Sequence, residues 1–345
     1  MTRKKLNVAL IGAGYWGQKL LPKFNARSDA GIAMVCDIHE ENRAAIRNKF
    51  RDIHTTGAFD DVLHEQAIEA VVLATPPATH YALAKRLLEA GKNIWIEKPL
   101  ALRLEEGREL VELAGDQKKV LFVDHTFLYD AAVRMIRQMI VNGELGAIHH
   151  LFLQRLNLGR IKRDSNVWWN SAPHDASILL YLLPGRPRDI CLHGYRYLQP
   201  GLEDLNMAIV EMSDGASAFI YHNWLYPENT AKVTVVGSRR LLVYEGKFEK
   251  RSITVYDYEL DRGKDTLARE LPTTIPSKIV HQQELKGFRE QEPLAAAVED
   301  FFGSIRESRA PLSDGKFSLE VLAVLDAGER SLRANGARTA VDITT

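Results

Sequence analysis

The chain has 345 residues with 45 basic and 45 acidic side chains, so its formal net charge at neutral pH is zero. This length fits two domains that each bury a core. The balanced charge excludes a general attraction to nucleic acid or to an anionic membrane surface. Cys36 and Cys191 lie outside any CxxC pattern, which argues against a disulfide framework and against a zinc site.

The first residues resemble a targeting segment only in part. A basic start is followed by the apolar stretch 8–11, which is too short for a signal peptide and runs directly into a glycine-rich loop. No apolar run approaches the length needed to cross a bilayer. We therefore expect a cytoplasmic protein with no metal, no nucleic-acid partner and no membrane partner.

Segments typical of strands and helices alternate over the first third of the chain. The strand-like segments are short and almost continuously apolar, as parallel strands buried on both faces are. They lie at 6–11, 33–36, 70–74, 93–97 and 120–123, with helices expected at 16–26, 40–49, 79–90 and 104–117. This alternation predicts a doubly wound parallel sheet of Rossmann type in residues 1–124.

The pattern changes after Asp124. Longer strand-like runs follow one another between 149 and 256, with turn signals such as Ser213-Asp214-Gly215. Helices are expected at 131–142 and 173–183 and near the end of the chain, and the charged segment 258–292 is expected to be a loop or insertion. Residues 125–345 are therefore predicted to form an α+β domain with a large open mixed or antiparallel sheet.

A glycine-rich loop, Gly12-Ala13-Gly14-Tyr15-Trp16-Gly17, joins the first predicted strand to the first predicted helix. In a dinucleotide site, Gly12 permits the tight turn, Gly14 lets the backbone approach the pyrophosphate, and Gly17 lets the helix pack on the strand. The helix N-terminus favours the anion. We predict that Gly12, Gly14, Tyr15, Trp16 and Gly17 bind the cofactor; a glycine turn without a ligand is the alternative.

Asp37 lies twenty residues after Gly17, at the end of the second predicted strand. Its carboxylate is placed to accept hydrogen bonds from the ribose hydroxyls of the adenosine. The same charge would repel a 2′-phosphate, and no arginine immediately follows. Asp37 therefore predicts NAD rather than NADP; a solvated aspartate is the alternative.

Glu97-Lys98-Pro99 follows a predicted parallel strand, at the edge where open α/β sheets bind ligands. A lysine there can hold a substrate hydroxyl or carbonyl. The tripeptide alone is more often a solvated lysine before a turn proline.

The richest polar stretch of the second domain runs from Arg155 to Asp175. Ser171 is expected to cap a helix with Pro173 in its first turn. His174 would then lie in that first turn, where the helix dipole disfavours a positive imidazole. A neutral histidine can take a proton from a hydroxyl as hydride leaves the same carbon, although a histidine at a helix start is often only structural.

Together these motifs resemble the Gfo/Idh/MocA family of oxidoreductases. The resemblance rests on the glycine loop, on Ala74-Thr75-Pro76-Pro77 followed by His80, and on Glu97-Lys98-Pro99, and it covers essentially the whole chain. It implies a Rossmann domain followed by a domain whose large open sheet commonly mediates homo-oligomer contacts. We therefore expect a homo-oligomer, a dimer or a tetramer.

The resemblance also implies roles for individual residues. Lys98 would be the catalytic lysine, often followed by a cis-proline bond, and His174 matches the usual catalytic histidine of the family. Four side chains would lie near the cofactor, namely Thr75, Pro76, His80 and Glu97. Many family members carry an aspartate four residues before the histidine, where this chain has Asn170. An asparagine can hydrogen-bond a hydroxyl but cannot act as a base.

The stretch 155–175 also resembles family members that act on nucleotide-linked sugars. Arg160, Lys162 and Arg163 could then neutralise a diphosphate, and a solvated basic loop is the alternative. The predicted substrate-binding residues are Arg155, Asn157, Arg160, Asn170 and His174.

The leading hypothesis is an NAD-dependent dehydrogenase of a sugar or nucleotide-linked sugar, in which His174 removes the hydroxyl proton and Lys98 positions and polarises the oxygen. One alternative is an NADP-dependent reductase of a non-sugar carbonyl compound. Another is a non-catalytic regulatory protein that senses the dinucleotide, since a fold alone does not establish catalysis.

Overall fold

The computed structural model describes residues 5–159, 161–247, 250–260, 277–285 and 292–343. The chain forms two compact units. The first comprises Met1–Tyr129, Gln291–Asp326 and Ile343–Thr345, and the second comprises Asp130–Glu290 and Ala327–Asp342. This division differs from the predicted one at residue 124, because residues 291–326 cluster with the first unit.

The first unit contains a six-stranded parallel sheet with strand order β3-β2-β1-β4-β5-β6. Its strands are β1 (Leu6–Ile11), β2 (Ala30–Cys36), β3 (His54–Thr56), β4 (Ala70–Leu73), β5 (Asn93–Ile96) and β6 (Leu121–Val123). Its helices up to this point are α1 (Tyr15–Asn25), α2 (Glu40–Lys49), α3 (Phe59–His64), α4 (His80–Glu89) and α5 (Leu104–Asp116). The prediction of a doubly wound parallel sheet is confirmed.

The last residues of five strands lie in one row across this sheet. Ile11 of β1 pairs with Cys36 and Leu73, Leu73 pairs with Ile96, and Ile96 pairs with Val123. The residues that follow these strands therefore line a single edge, the carboxyl edge at which α/β sheets bind ligands.

The second unit contains a nine-stranded sheet with order β14-β13-β12-β11-β7-β10-β9-β8-β15. β7 and β10 are parallel and the other neighbours are antiparallel, which confirms a large mixed sheet. The elements are α6 (Ala131–Val141), β7 (Ile148–Leu156), α7 (Val167–Leu182), β8 (Pro187–Tyr195), β9 (Leu205–Met212), β10 (Ser217–Asn223), β11 (Thr230–Gly237), β12 (Arg240–Lys247), β13 (Lys250–Leu260), β14 (Ser277–Leu285) and β15 (Thr339–Ala340). None of the helices in the described ranges is long and apolar enough to cross a bilayer.

The expectation of a loop over 258–292 was wrong where the structure describes that segment. β13 continues to Leu260, and Ser277–Leu285 forms the edge strand β14. Nearly all of β14 is exposed, so its side chains need not alternate between apolar and polar. A strand without such alternation leaves little trace in the sequence. Residues 261–276 and 286–291 lie outside the described residues.

Two helices precede β15, namely α8 (Pro293–Glu307) and α9 (Gly315–Arg333). From α8, Phe301 and Phe302 enter the aromatic core of the first unit, where their ring centroids lie 6.3 and 5.6 Å from Phe24. Phe301 also contacts Trp95 of β5 at 5.7 Å, and Trp95 stacks on Phe122 at 4.2 Å. All five rings are fully buried. This packing is the physical reason that the segment up to Asp326 belongs to the first unit.

Candidate active site

The glycine loop requires glycine at two positions. Gly12 has φ +91°, its N–H donates to the carbonyl of Cys36 at 2.8 Å, and a Cβ there would lie 2.7 Å from the carbonyl oxygen of Ala74. A Cβ on Gly17 would lie 1.9 Å from the carbonyl oxygen of Gly12. These approaches let α1 start directly against β1, as a dinucleotide loop requires.

The N-terminus of α1 is open. Gly14 precedes the first helical residue and provides no side-chain cap, and the N–H groups in the first turn of a helix have no partner within the helix. A Cβ on Gly14 would meet no atom of the described residues within 4 Å. Uncapped N–H groups with space above them fit a pyrophosphate.

Tyr15 and Trp16 flank this opening. Both side chains are about half exposed at 52%, and their rings meet edge to face with centroids 5.8 Å apart. The ammonium of Lys19 lies over the two rings, 4.2 and 4.9 Å from their centroids. The two side chains thus form an exposed aromatic surface with a cation beside the loop.

Asp37 follows β2 and is 7% exposed. Its Oδ2 accepts hydrogen bonds from the N–H of Ala13 at 2.7 Å and from Asn42 at 3.1 Å, and its Oδ1 accepts from the N–H of His39 at 2.8 Å. A carboxylate has about four acceptor sites, so these bonds leave room for one ribose hydroxyl. Arg43 donates to the backbone carbonyl of Asp37.

Residues after β4 form the next part of the edge. Thr75 is half-buried and Pro76 is exposed, whereas His80 is fully buried. The ring of His80 bridges the carbonyls of Thr75 and Pro99, at 2.9 Å from Nε2 and 2.8 Å from Nδ1. Burial lowers the pKa of His80, and the two carbonyls oppose this. His80 therefore ties the segment after β4 to the segment after β5, and its place near a cofactor stays a prediction.

Glu97 and Lys98 follow β5, and the Lys98–Pro99 bond is cis. The Glu97 carboxyl forms a hydrogen bond with the carboxyl of Asp124, the residue that follows β6. Burial raises the pKa of Glu97 well above its usual range, and it raises the pKa of Asp124 to about 6. The ammonium of Lys98 lowers both pKa values, which shows that its charge acts on the pair.

His125 is also fully buried at this edge. Burial, assisted by the charge of Lys98, lowers the pKa of its imidazole to about 3. Among the described residues, neither ring nitrogen has a hydrogen-bond partner. Sequence reasoning did not select Asp124 or His125. Their position directly after the last strand of the parallel sheet was the available signal.

In the second unit, the prediction that Ser171 caps α7 was wrong. The helix begins at Val167, and its N-cap is Asn166, whose side chain accepts from the N–H of Trp169 at 3.0 Å. Pro173 lies inside the helix. His174 therefore lies about two turns from the helix start. Because the helix dipole acts within the first turn, it does not explain a neutral His174.

Asn170 and His174 lie four residues apart on α7, so they share one face of the helix, and both are half-buried. The next residue, Asp175, is buried on another side. It accepts two hydrogen bonds from Arg155, at 3.0 and 2.9 Å, and lies 2.8 Å from Nε2 of His222. Burial opposes ionisation of Asp175, but Arg155 and His222 outweigh it and lower its pKa to about 2.

The other predicted substrate residues differ in what the structure places around them. Arg155 donates two hydrogen bonds from its guanidinium to Asp175, which is a buried carboxylate. Asn157 is half-buried just after β7, and its N–H donates to the carbonyl of Asn223 at 3.0 Å. Arg160 lies outside the described residues, and its neighbours Lys162 and Arg163 are exposed.

Two family descriptions match this chain. Residues 6–125 match the oxidoreductase family with an NAD-binding Rossmann fold, GFO/IDH/MocA, and residues 133–243 match the GFO/IDH/MocA C-terminal domain. Together they span about two thirds of the sequence.

Characterised relatives match over nearly their full length. UDP-N-acetylglucosamine 3-dehydrogenase from Acidithiobacillus ferrooxidans is 25% identical over 327 residues, 92% of this chain and 94% of that protein. Inositol 2-dehydrogenase from Rhizobium meliloti is 23% identical over 336 residues, 94% and 96% of the two chains. A structure of levoglucosan dehydrogenase in complex with NADH and L-sorbose shares the fold with a TM-score of 0.80 at 19% identity, covering 98% of this chain and 99% of that one. The chain is a member of the GFO/IDH/MocA family of oxidoreductases, and residues 6–125 form its NAD-binding Rossmann domain.

Proposed function

We propose that this protein is an NAD-dependent dehydrogenase that transfers hydride between the nicotinamide and a secondary hydroxyl or ketone of a sugar or nucleotide-linked sugar. The observation that carries the proposal is the single carboxyl edge of the parallel sheet. The glycine loop follows β1, and Lys98 follows β5, two strands along the same edge. The loop proposed to bind the pyrophosphate and the lysine proposed to hold a substrate oxygen thus follow strands at one edge, where α/β sheets bind ligands.

The cofactor would be held by the residues of the first unit. The N–H groups at the start of α1 would bind the pyrophosphate, and Asp37 would accept from the adenosine ribose. The Asp37 carboxylate favours NAD, because it repels a 2′-phosphate. Arg43 donates to the Asp37 carbonyl and also pairs with Glu40, whose carboxylate offsets the positive charge of the guanidinium. When bound, the nicotinamide supplies the site that accepts or donates hydride.

The remaining chemistry belongs to side chains of this chain. Lys98 positions and polarises the substrate oxygen, and His174 takes the hydroxyl proton as hydride leaves the same carbon. Asn170, on the same helix face, hydrogen-bonds a substrate hydroxyl but carries no charge. Reduction of a ketone uses the same groups in reverse, with His174 returning the proton.

The choice of a sugar is supported by the relatives. The two curated relatives above are named for oxidation of UDP-N-acetylglucosamine and of inositol, which are rich in secondary hydroxyls. The exposed Lys162 and Arg163 lie in the segment that would meet a diphosphate.

A homo-oligomer, a dimer or a tetramer, is supported by one face of the mixed sheet. Phe219 of β10 pairs in register with Phe152 of β7 and with Ile209 of β9, so the three side chains project from one face. Met207 extends the same face beside Tyr221, and Ile209 and Met207 are 39% and 43% exposed. Contiguous apolar side chains of this kind are typical of protein interfaces. Light scattering on the purified chain tests the oligomeric state.

The function is tested by turnover. The purified protein is first denatured and its released nucleotide identified by mass spectrometry, because tightly held cofactor could hide turnover. A separate, native portion of the protein is then incubated with NAD, NADH, NADP or NADPH and a panel of free and nucleotide-linked sugars and their keto forms. We expect a change in nicotinamide absorbance with NAD or NADH and at least one sugar. Absence of any change across the panel, in both directions, would contradict the proposal.

A further inference from the structure

We propose that Asp124 is a positioning residue for the reaction at Lys98: with Glu97 it forms a carboxyl pair that shares one proton and places a single negative charge beside the Lys98 ammonium. The inference rests on the proposed function, since it assigns Lys98 to the reacting oxygen. Asp124 does not touch the substrate in this proposal, and it acts through Lys98.

The register of two parallel strands brings the pair together. Ile96 of β5 pairs with Val123 of β6, and the N–H of Asp124 donates to the carbonyl of Ile96 at 2.8 Å. Glu97 and Asp124 are the next residues along each strand, so their side chains leave the sheet on the same side. The register of β5 and β6 therefore brings the carboxyls of Glu97 and Asp124 into contact.

The hydrogen bonds around the pair show which carboxyl holds the proton. Asp124 Oδ1 accepts from the hydroxyl of Thr126 at 2.6 Å, so Asp124 is supported as an anion. The Glu97 carboxyl accepts a hydrogen bond from the backbone N–H of Lys98, but its Oε1 is buried and has no hydrogen-bond partner among the described residues. A buried carboxylate oxygen with no donor is costly, whereas a protonated carboxyl can donate to Asp124. Glu97 is thus the neutral donor and Asp124 the charged acceptor.

The charge of the pair follows from its surroundings. The titratable groups that act on Asp124 are Glu97 and Lys98, with His125 and Tyr129 close by. His125 is neutral at physiological pH because burial lowers its pKa to about 3, and burial together with Asp300 raises the pKa of the Tyr129 phenol. Above about pH 6, where Asp124 ionises, the pair carries one negative charge opposite the Lys98 ammonium.

The carboxyl pair suits the role of Lys98 in the proposed reaction. A lysine that polarises an oxygen must stay protonated and must point in a fixed direction. An adjacent carboxylate favours the ammonium form. The hydrogen bonds from Glu97 and Thr126 fix the orientation of the Asp124 carboxylate. Two full charges on the pair would instead repel each other, which the shared proton avoids.

The test begins with cofactor-free protein, so that it does not depend on turnover. The rate at which Lys98 reacts with an amine-modifying reagent is followed against pH by mass spectrometry in wild type and in Asp124→Asn. Without the anion the ammonium loses its proton more easily, so we expect Lys98 to react roughly three- to tenfold faster at neutral pH. Lys85, which pairs with Glu109 on the surface, is the internal reference and should not change.

Two further variants separate the roles of the carboxyls. Glu97→Gln keeps a neutral donor to Asp124, so Lys98 reactivity in cofactor-free protein should stay near wild type. Thr126→Val removes one donor and keeps the carboxyl, so Asp124 should ionise at higher pH and Lys98 in cofactor-free protein should react faster than in wild type near pH 6. Thr126→Val also tests the inference if Asp124→Asn does not fold.

Turnover gives the second readout. Asp124→Asn should lower kcat roughly tenfold or more, with the alkaline limb of the profile moved to lower pH and the KM for NAD little changed. Lys98 reactivity and kcat within twofold of wild type in folded Asp124→Asn would overturn the inference, as would Lys98 reactivity near pH 6 that is unchanged in Thr126→Val. If wild type turns over no substrate while Lys98 reactivity changes as expected, the proposed function fails and the carboxyl pair stands.

Discussion

Gly17 lies so close to Gly12 that a methyl group on Gly17 would come within 1.9 Å of the Gly12 carbonyl oxygen. Gly14, between them, has open space where its methyl group would lie. Gly17 is therefore required by the packing of the protein, whereas Gly14 is the glycine that we propose faces the cofactor.

Alanine at these two positions should separate the two purposes. Gly17→Ala should lower both thermal stability and NAD affinity, because α1 must move away from β1. Gly14→Ala should keep the melting temperature, since its φ of −69° suits alanine, but should weaken NAD binding by occupying the space above the helix start. Calorimetry with and without NAD measures both. Equal melting temperatures for the two variants would contradict this division.

Asp37→Ser should change the choice of dinucleotide. Loss of hydrogen bonds to a charged group costs about 1.5–3 kcal/mol of binding free energy, so NAD should bind roughly ten- to a hundredfold more weakly. NADP should gain relative to NAD, because the repulsion of its 2′-phosphate disappears. Titration of both nucleotides checks this, with the exposed Asp52→Ser as control. An unchanged NAD-to-NADP ratio would exclude Asp37 as the selecting residue.

Lys98→Ala should lower kcat by roughly 10²- to 10³-fold, as does loss of one group that polarises a reacting oxygen. NAD binding should persist. Lys85→Ala, which removes a lysine paired with Glu109 on the surface, should keep wild-type activity. Steady-state kinetics and NAD titration give the comparison. A Lys98→Ala variant with full biological activity would favour a regulatory protein that only senses the dinucleotide.

Substitutions on α7 test the proton transfer. His174→Gln should lower kcat by roughly 10²-fold or more if His174 is the base. Asn170→Asp would place a carboxylate one turn from His174 and favour the protonated imidazole, so the acid limb of kcat should move to higher pH. The pH profiles of wild type and both variants decide this. An acid limb that stays in place in Asn170→Asp would mean that the two side chains do not act on each other.

Asp175→Asn should destabilise the second unit by about 3 kcal/mol, because it breaks a buried ion pair with Arg155. The lowered pKa of Asp175 makes this stability depend on pH. It is fully present above the ordinary aspartate pKa of 3.8 and is lost as the pH falls toward about 2. Denaturant unfolding against pH should show this loss in wild type and much less of it in the variant. The exposed Asp164→Asn should follow wild type.

The parts that could be predicted from the sequence are those whose burial leaves a strong pattern. The strands of the parallel sheet are apolar on both faces, and the glycine loop has a spacing set by close contact. The start of α7 was misplaced because Ser171 and Pro173 are typical of a helix start, whereas Asn166 provides the cap. Asp124 was missed because the register of β5 and β6, invisible in the sequence, brings it beside Glu97.

The aromatic core of the first unit has a consequence for the order in which the protein is made. Phe24, Trp95 and Phe122 emerge from the ribosome early, but Phe301 and Phe302, which cover them, are synthesised about 180 residues after Phe122. A nascent chain that ends near Tyr129 has all six parallel strands and still exposes an uncovered aromatic surface. The nucleotide-binding unit is therefore completed only after Phe301 and Phe302 have been synthesised, and until then its aromatic surface is open to chaperones or to aggregation.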